Sequence, residues 1–380
     1  MPELTTLGPR AAVDLLQTYA GIDFSRVLNF QNRQGLTSQQ ILQQAYAALG
    51  GVNQMLINKY GDLLYLTNSS TVMYRQGEGT RTKTPKKVEF ARGDSVRSAQ
   101  TGHSLPLSDY EDVLDWGKLW LRDAKQSDVD NDIQLMVDRW INRVEDDILT
   151  RLFVTTEFPQ GTGYDVGWAI GTGVNVPFIP SPTNGVTFDS THTHYKFTGT
   201  ATSAGLLALI ESMVKELRHH GHSGNLMALV SEADVDTYVG MSKFVALLPS
   251  GVMIVPGNGA ASVQVTSATA SGLPGELFGY VNTSRGLVEL RYYSRIPTGY
   301  LFMSKSYGQN NPMNGVALRV HPDISFGLHP EPIISRTTTP EMEGLQLVAT
   351  HGVGVNKRLN GVAGYFVTSA SAYVNPSFAA

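Results

Sequence analysis

No cysteine occurs among the 380 residues. That removes disulfides, thiolate nucleophiles and thiolate metal sites together, and suits a chain made in a reducing cytoplasm. Stability must then come from packing and subunit contacts. A positive surplus is missing too: the formal net charge is −4 and the isoelectric point about 6.1. The broad basic field that drives nonspecific nucleic-acid binding is therefore absent, so DNA near this chain is not expected to be gripped tightly. No apolar run approaches the roughly 20 residues that span a bilayer. The start, Met1-Pro-Glu-Leu-Thr-Thr-Leu7, carries neither the basic opening nor the apolar stretch of a signal peptide. Neither secretion nor membrane insertion is expected.

Catalytic patterns are equally scarce. Asp128-Val-Asp-Asn-Asp132 opens like a calcium loop, but the sixth and twelfth positions, which need glycine and glutamate, hold Ile133 and Arg139. It reads instead as an acidic first turn favoured by the helix dipole. Gly257-Asn-Gly259 and Gly161-Thr-Gly163 lack the third glycine and the strand-to-helix setting of a dinucleotide fingerprint, and read as turns. Glu145-Asp-Asp147 places carboxylates on successive helical positions that cannot converge, and no serine occupies a nucleophile elbow. Two histidine sets invite a metal reading: His192 with His194 on one strand face, and His219, His220 and His222 around a helix end. Taken separately, each is better read as surface or helix-end chemistry, with cationic groups beside terminal carbonyls. No catalytic residue, cofactor site or metal site is assigned from the sequence.

What is present is a hydrophobic fraction of 42%, enough for a sizeable core and for more than one structural subdivision. Between Tyr65 and Leu107 lies a long segment too polar for a core and too patterned for a tail. Thr71–Arg75 and Lys86–Arg92 are strand-like, with Val72/Tyr74 and Val88/Phe90 on alternate positions, and Gly77-Glu-Gly79 lies between them. An isolated hairpin is marginal in water, so this one is expected to rest on a neighbouring copy.

Ser38 can cap a helix carrying Ile41, Leu42, Ala45, Leu49, Val52 and Leu56, weakened by Gly50-Gly51. Ser127-Asp-Val-Asp130 offers a capping pattern for a helix over 128–153, about 39 Å long at 1.5 Å per residue. Residues 159–199 read as loops and edge strands. A helix over 203–220 stopping at Gly221, a buried strand Leu226–Val230 and a helix capped by Ser231 and Asp234 follow. Beyond Leu248 the pattern is mostly β.

Charge is unevenly spread. Residues 71–97 hold seven basic residues (Arg75, Arg81, Lys83, Lys86, Lys87, Arg92, Arg97) against three acids, whereas 109–147 hold twelve acids against five bases. A basic arm of one copy lying across the acidic helix of the next would use charge to fix register. Two solvated charge runs that never meet are the alternative. The candidate assembly residues are Arg75, Arg81, Lys83, Lys86, Lys87 and Arg92 on the arm, with Asp128, Asp130 and Asp132 on the helix.

This order of parts resembles the major capsid proteins of tailed double-stranded DNA bacteriophages, the family with the Hong-Kong-97-like fold. The resemblance covers most of 36–370 and rests on three stretches taken in order: Leu226–Tyr238, Gly279 to Gly299 with its Ser294-Arg-Ile-Pro-Thr-Gly299 close, and Gly352–Val362. It implies an α+β fold with an N-terminal arm (1–61), an extended β-hairpin loop (62–108), a peripheral domain (109–200) with its spine helix at 128–153, an axial domain (201–315), and a return to the peripheral domain (316–380). It also implies a structural shell protein without cofactor or substrate, self-assembling into hexamers and pentamers of an icosahedral capsid around packaged DNA that is not specifically recognised. The virion is its place, with assembly in the host cytoplasm.

Only about sixty residues precede the loop in this element reading, so scaffolding is expected from a separate protein. Portal and decoration proteins are further candidate partners, and no membrane is involved. Some relatives crosslink lysine to asparagine; here Lys83, Lys86 and Lys87 lie in the loop, with Asn356 and Asn360 late in the chain. An encapsulin-type compartment shell and, further off, a soluble α+β enzyme are the alternatives.

Overall fold

The computed structural model describes residues 38–76, 99–117, 120, 123–161, 163–171, 175, 192–247, 252–255, 263–266, 272–323, 326–331 and 342–378. The first helix among the described residues, α1 (Ser38–Tyr60), buries Leu49, Leu56 and Tyr60 at helical spacing. Gly50 and Gly51 lie on its exposed side, so they lower helix propensity without opening the core. Four strands follow: β1 (Leu64–Thr67), β2 (Thr71–Gln76), β3 (Ala99–Ser104) and β4 (Ser108–Gly117). The long helix α2 (Gln126–Phe153) has 28 residues and runs about 42 Å. Short strands β5 (Phe158–Gln160), β6 (Gly163–Asp165) and β7 (Tyr195–Thr198) lead to α3 (Ser203–His219), β8 (Leu226–Ser231) and a short α4 (Val235–Val239). The remainder is β: β9 (Phe244–Ala246), β10 (Val252–Val255), β11 (Val263–Thr266), β12 (Glu276–Thr283) and β13 (Gly286–Tyr293). After them come β14 (Tyr300–Ser304), β15 (Val316–Val320), β16 (His329–Glu331), β17 (Met342–Val355) and β18 (Val362–Phe366).

The chain divides into two compact units, one of residues 1–57, 107–145 and 320–351, the other of 58–106, 146–319 and 352–380. The second unit is built on a seven-stranded mixed sheet ordered β7-β18-β14-β8-β13-β12-β9. At its centre every residue of β8 is buried, as a strand covered on both faces requires. Ala228 and Val230 of β8 face α3, whose Leu206, Ile210, Met213, Val214 and Leu217 complete an apolar core. Gly364 permits the close approach: a Cβ there would stand 2.9 Å from the Met213 sulfur and 2.6 Å from Leu301 Cδ2. Phe302 of β14 meets Trp168 and Phe153, with ring centroids 5.2 and 6.3 Å away. Helix α3 is bounded by side-chain and backbone chemistry. Gly205 N–H donates to Thr202 Oγ1 at the start. At the end Gly221, at φ +84, lets its own N–H reach Arg218 O and that of His222 reach Leu217 O.

The first unit is organised around β17. Its residues Met342 to His351 pair antiparallel with Gly117 to Ser108 of β4, and β16 pairs with it through His329↔Val348 to Glu331↔Gln346. Buried Trp140 of α2 packs against Phe326 and edge-on to His351 at 5.1 Å, and its indole N–H donates to Asn53 Oδ1 at 3.1 Å. Val129, Ile133, Met136, Val137 and Val144 of α2 are buried with it, the stripe expected from 3.6-residue periodicity.

Several local expectations shift. Helix α2 begins at Gln126, two residues earlier than expected, because the Asp128 carboxylate accepts the Lys125 N–H at 3.1 Å and supplies the reach-back half of a capping box. Ser231 makes no capping bond, and Asp234 accepts the Gly299 N–H at 2.7 Å instead. Anchoring the entry to β14 takes the carboxylate, leaving one 3-10 turn before α4. The acidic and aromatic stretch after Leu107 is strand β4. Thr71–Arg75 lies in β2, which pairs with β3, Thr71↔Ser104 through Gln76↔Ala99; the run 86–92 lies outside the described residues.

Candidate assembly surfaces

The β2–β3 ladder alternates as a half-buried ribbon should. Val72 packs with Leu105 and Ala317, while the next residue, Met73, is 57% exposed. Across from Val72, His103 is buried and its Nε2–H donates to Val355 O at 2.5 Å. Burial pushes this imidazole down to about 4 against the pull of that bond, and Arg358 and Lys357 push it further the same way. Arg75 lies on β2 opposite Gln100. Arg81, Lys83, Lys86, Lys87 and Arg92 lie outside the described residues.

On α2 the three candidate acids differ in their surroundings. Asp128 is exposed but engaged in the helix start. Asp130, also exposed, accepts from Gln126 Nε2 at 2.7 Å, and the same amide donates to Gln44 at 3.2 Å. Asp132 is half-buried. Of the basic residues on this helix, Arg139 pairs with Asp112 at 2.9 Å, and Arg143 lies over the Tyr110 ring at 4.7 Å. Arg139 and Arg143 are thus drawn toward β4, and Asp128 and Asp130 are left at the helix N-terminus where the dipole favours them. The outward row Asn131, Gln134, Asp138 and Asn142 also contains Leu135, 62% exposed.

The crosslink candidates have other work. Asn356 is buried, and its amide donates to Pro312 O and Asn314 O. Asn360 is fully buried; it donates to Lys305 O and Met313 O and accepts the Lys305 N–H. Both are internal pins of the turn between β17 and β18, so neither amide is presented to a lysine. The histidines also depart from their sequence reading. The two sets meet, with His220 beside His192 and His194. Strand and helix spacing alone gave no sign that these segments adjoin.

No family model matches the chain, and no curated protein matches its sequence. Solved structures do match. A chain from Mycobacterium phage Patience is 19% identical and aligns over 92% of this chain and 93% of that one, with a TM-score of 0.60. The two share one fold. Looser alignments include the mature capsid of bacteriophage PhiM1, 11% identical over 81% of this chain and 86% of that one, TM-score 0.46. Another is the capsid of a native GTA particle, 12% identical over 82% and 90%, TM-score 0.45. The mixed α+β class expected from the sequence is that of this chain, and the fold is the one it shares with the Mycobacterium phage Patience chain.

Proposed function

We propose that this chain is the major capsid protein of a tailed phage, a non-enzymatic subunit that closes into hexamers and pentamers of an icosahedral shell around double-stranded DNA. The observation that carries the reading is the shared fold over 92% of the chain. Head-to-tail contacts that close by rotation generate such rings. In this reading residues 1–61 are an arm, 62–108 an extended loop, 109–200 and 316–380 a peripheral domain, and 201–315 an axial domain. The basic loop residues Arg75, Arg81, Lys83, Lys86, Lys87 and Arg92 of one copy lie along Asp128, Asp130 and Asp132 of the next, where charge fixes register more than it adds affinity. DNA is held by confinement, in keeping with a net charge of −4. Scaffolding, portal and decoration proteins are separate partners, and the shell is assembled in the host cytoplasm.

Negative-stain electron microscopy with light scattering on the full chain, co-expressed with its candidate scaffolding protein, tests this. Rings or closed shells protecting DNA from nuclease are the expected result. Protected cargo protein without DNA would favour a compartment shell, and a strictly monomeric product would overturn the assembly reading. Reversing Lys83, Lys86 and Lys87 to glutamate should leave a folded subunit that no longer assembles; normal shells from it would remove the charge-register idea.

A further inference from the structure

Three histidines and a glutamate from two separate segments converge in the second unit. His192 and His194 alternate with Thr193, which puts both rings on one side of an extended segment. That segment is fixed by a bridge, Ile170↔Thr193, with Gly171 N–H donating to His192 O at 2.8 Å and His194 N–H to Ala169 O at 2.9 Å. Glu216 and His220 stand one helical turn apart at the end of α3, on the same face. Spacing of two on the strand and four on the helix thus aims four side chains at one point, and their ligand atoms all lie within 4.8 Å of one another.

The separations have the scale of a coordination shell. His220 Nε2 is 3.0 Å from His194 Nε2, 3.2 Å from His192 Nε2 and 3.5 Å from Glu216 Oε1, and His192 Nε2 is 2.6 Å from that same oxygen. Four ligands at zinc distances, about 2.0–2.1 Å for nitrogen, form a tetrahedron with edges of about 3.3 Å. The outer partners orient the set. A carbonyl can only accept, so His194 Nδ1–H donates to Gly361 O at 2.7 Å and leaves the Nε2 lone pair facing the centre. Lys196 Nζ holds Glu216 Oε2 at 2.8 Å, leaving Oε1 toward the imidazoles. Without a cation, Glu216 Oε1 is buried with no hydrogen-bond partner, while the Nε2 atoms of His192 and His220 crowd it at 2.6 and 3.5 Å and each other at 3.2 Å. A cation at the centre replaces that crowding by four lone pairs directed at one charge.

We propose that His192, His194, Glu216 and His220 bind one zinc ion as a structural site that clasps the segment before β7 to the end of α3. Borderline imidazole ligands with one carboxylate suit zinc. Four protein ligands, three of them buried and His192 nearly so, close the shell and leave no open position of the kind a catalytic zinc needs. The site is independent of the capsid reading and would stand in any protein with this chain.

The test uses the full chain, stripped with chelator and titrated with zinc alone, then with cobalt as a spectroscopic probe. One zinc per chain by elemental analysis, and the intense visible bands of tetrahedral cobalt, are expected. Zinc should also raise the melting temperature by several degrees. His192→Gln, the least buried of the four changes, and Glu216→Gln should each weaken zinc binding by about 100-fold, and Lys196→Met, which alters only the orienting contact, by about 10-fold. Circular dichroism confirms that each variant is folded. Substoichiometric zinc in the unaltered chain, a weak octahedral cobalt spectrum, or full affinity in folded His192→Gln would overturn the site. If His192→Gln does not fold, unchanged affinity in Lys196→Met would do so.

Discussion

The seven-stranded sheet and the β4–β17 pair solve burial in opposite ways. In the sheet, β8 is buried from Leu226 to Ser231, and α3 presses an apolar face onto it. In the first unit, β4 opens with exposed Ser108 and Asp109, exposes Glu111 and Val113 further on, and carries a cross-strand polar row: Gln346 donates to Glu111 and Thr350 to Asp109. Its helix, α2, buries one stripe and turns Leu135 and a line of polar residues outward. One region satisfies itself, and the other retains a patterned outer surface. A residue in the first region should therefore act on stability, and one on the outer surface of the second should leave stability nearly unchanged.

The largest effect is expected in the sheet. Leu290→Ala, at a fully buried position of the α3–sheet core, should destabilise by about 2–5 kcal/mol, read as a lower melting temperature. A stability loss under about 1 kcal/mol would mean the core can collapse around the cavity. The next effect concerns β3. His103 binds a proton near pH 6.5 when unfolded and only near 4 when folded, so between these values the unfolded chain holds more protons. Its contribution is present above about 6.5 and is lost as pH falls to about 4, in all about 3 kcal/mol. His103→Gln should flatten this part of the stability–pH curve, and an unchanged slope would assign acid sensitivity elsewhere.

Asn53→Ala, which leaves the buried Trp140 N–H without its acceptor, should cost about 1–3 kcal/mol in denaturant unfolding. The smallest stability change belongs to the outer face: Leu135→Ser should stay within about 0.5 kcal/mol of the parent. The proposed function adds that it will reduce ring or shell yield. Equal yields would move the contact surface away from α2.

Legibility followed the range of the interactions involved. Helix α2, helix α3 and strand β8 were readable because burial on one stripe, or on both strand faces, imposes a period or an unbroken apolar run on neighbouring residues. Their ends were less so. Asp128 and Asp234 are both short acids near a helix start, yet one caps the helix and the other holds Gly299, sixty-five positions away. Which donor wins is settled by where the rest of the chain brings a free N–H. The same applies to β2, which pairs with β3, whereas the alternation in the sequence points to the run 86–92 as its hairpin partner. The candidate interface acids Asp128 and Asp130 were visible from charge alone, but their local partners Lys125 and Gln126 were not.

By itself the sequence determined the absence of thiol chemistry, the balance of charge, the alternation of helices and strands and the order of parts resembling phage capsid proteins. These depend on composition and on residues close together in the chain. Tertiary structure decided that β17 pairs with β4, that Asn356 and Asn360 are internal pins, and that His192, His194, Glu216 and His220 share one point. Each of these depends on backbone segments far apart in sequence being brought within a few ångströms, and the local pattern of side chains carries no record of that distance.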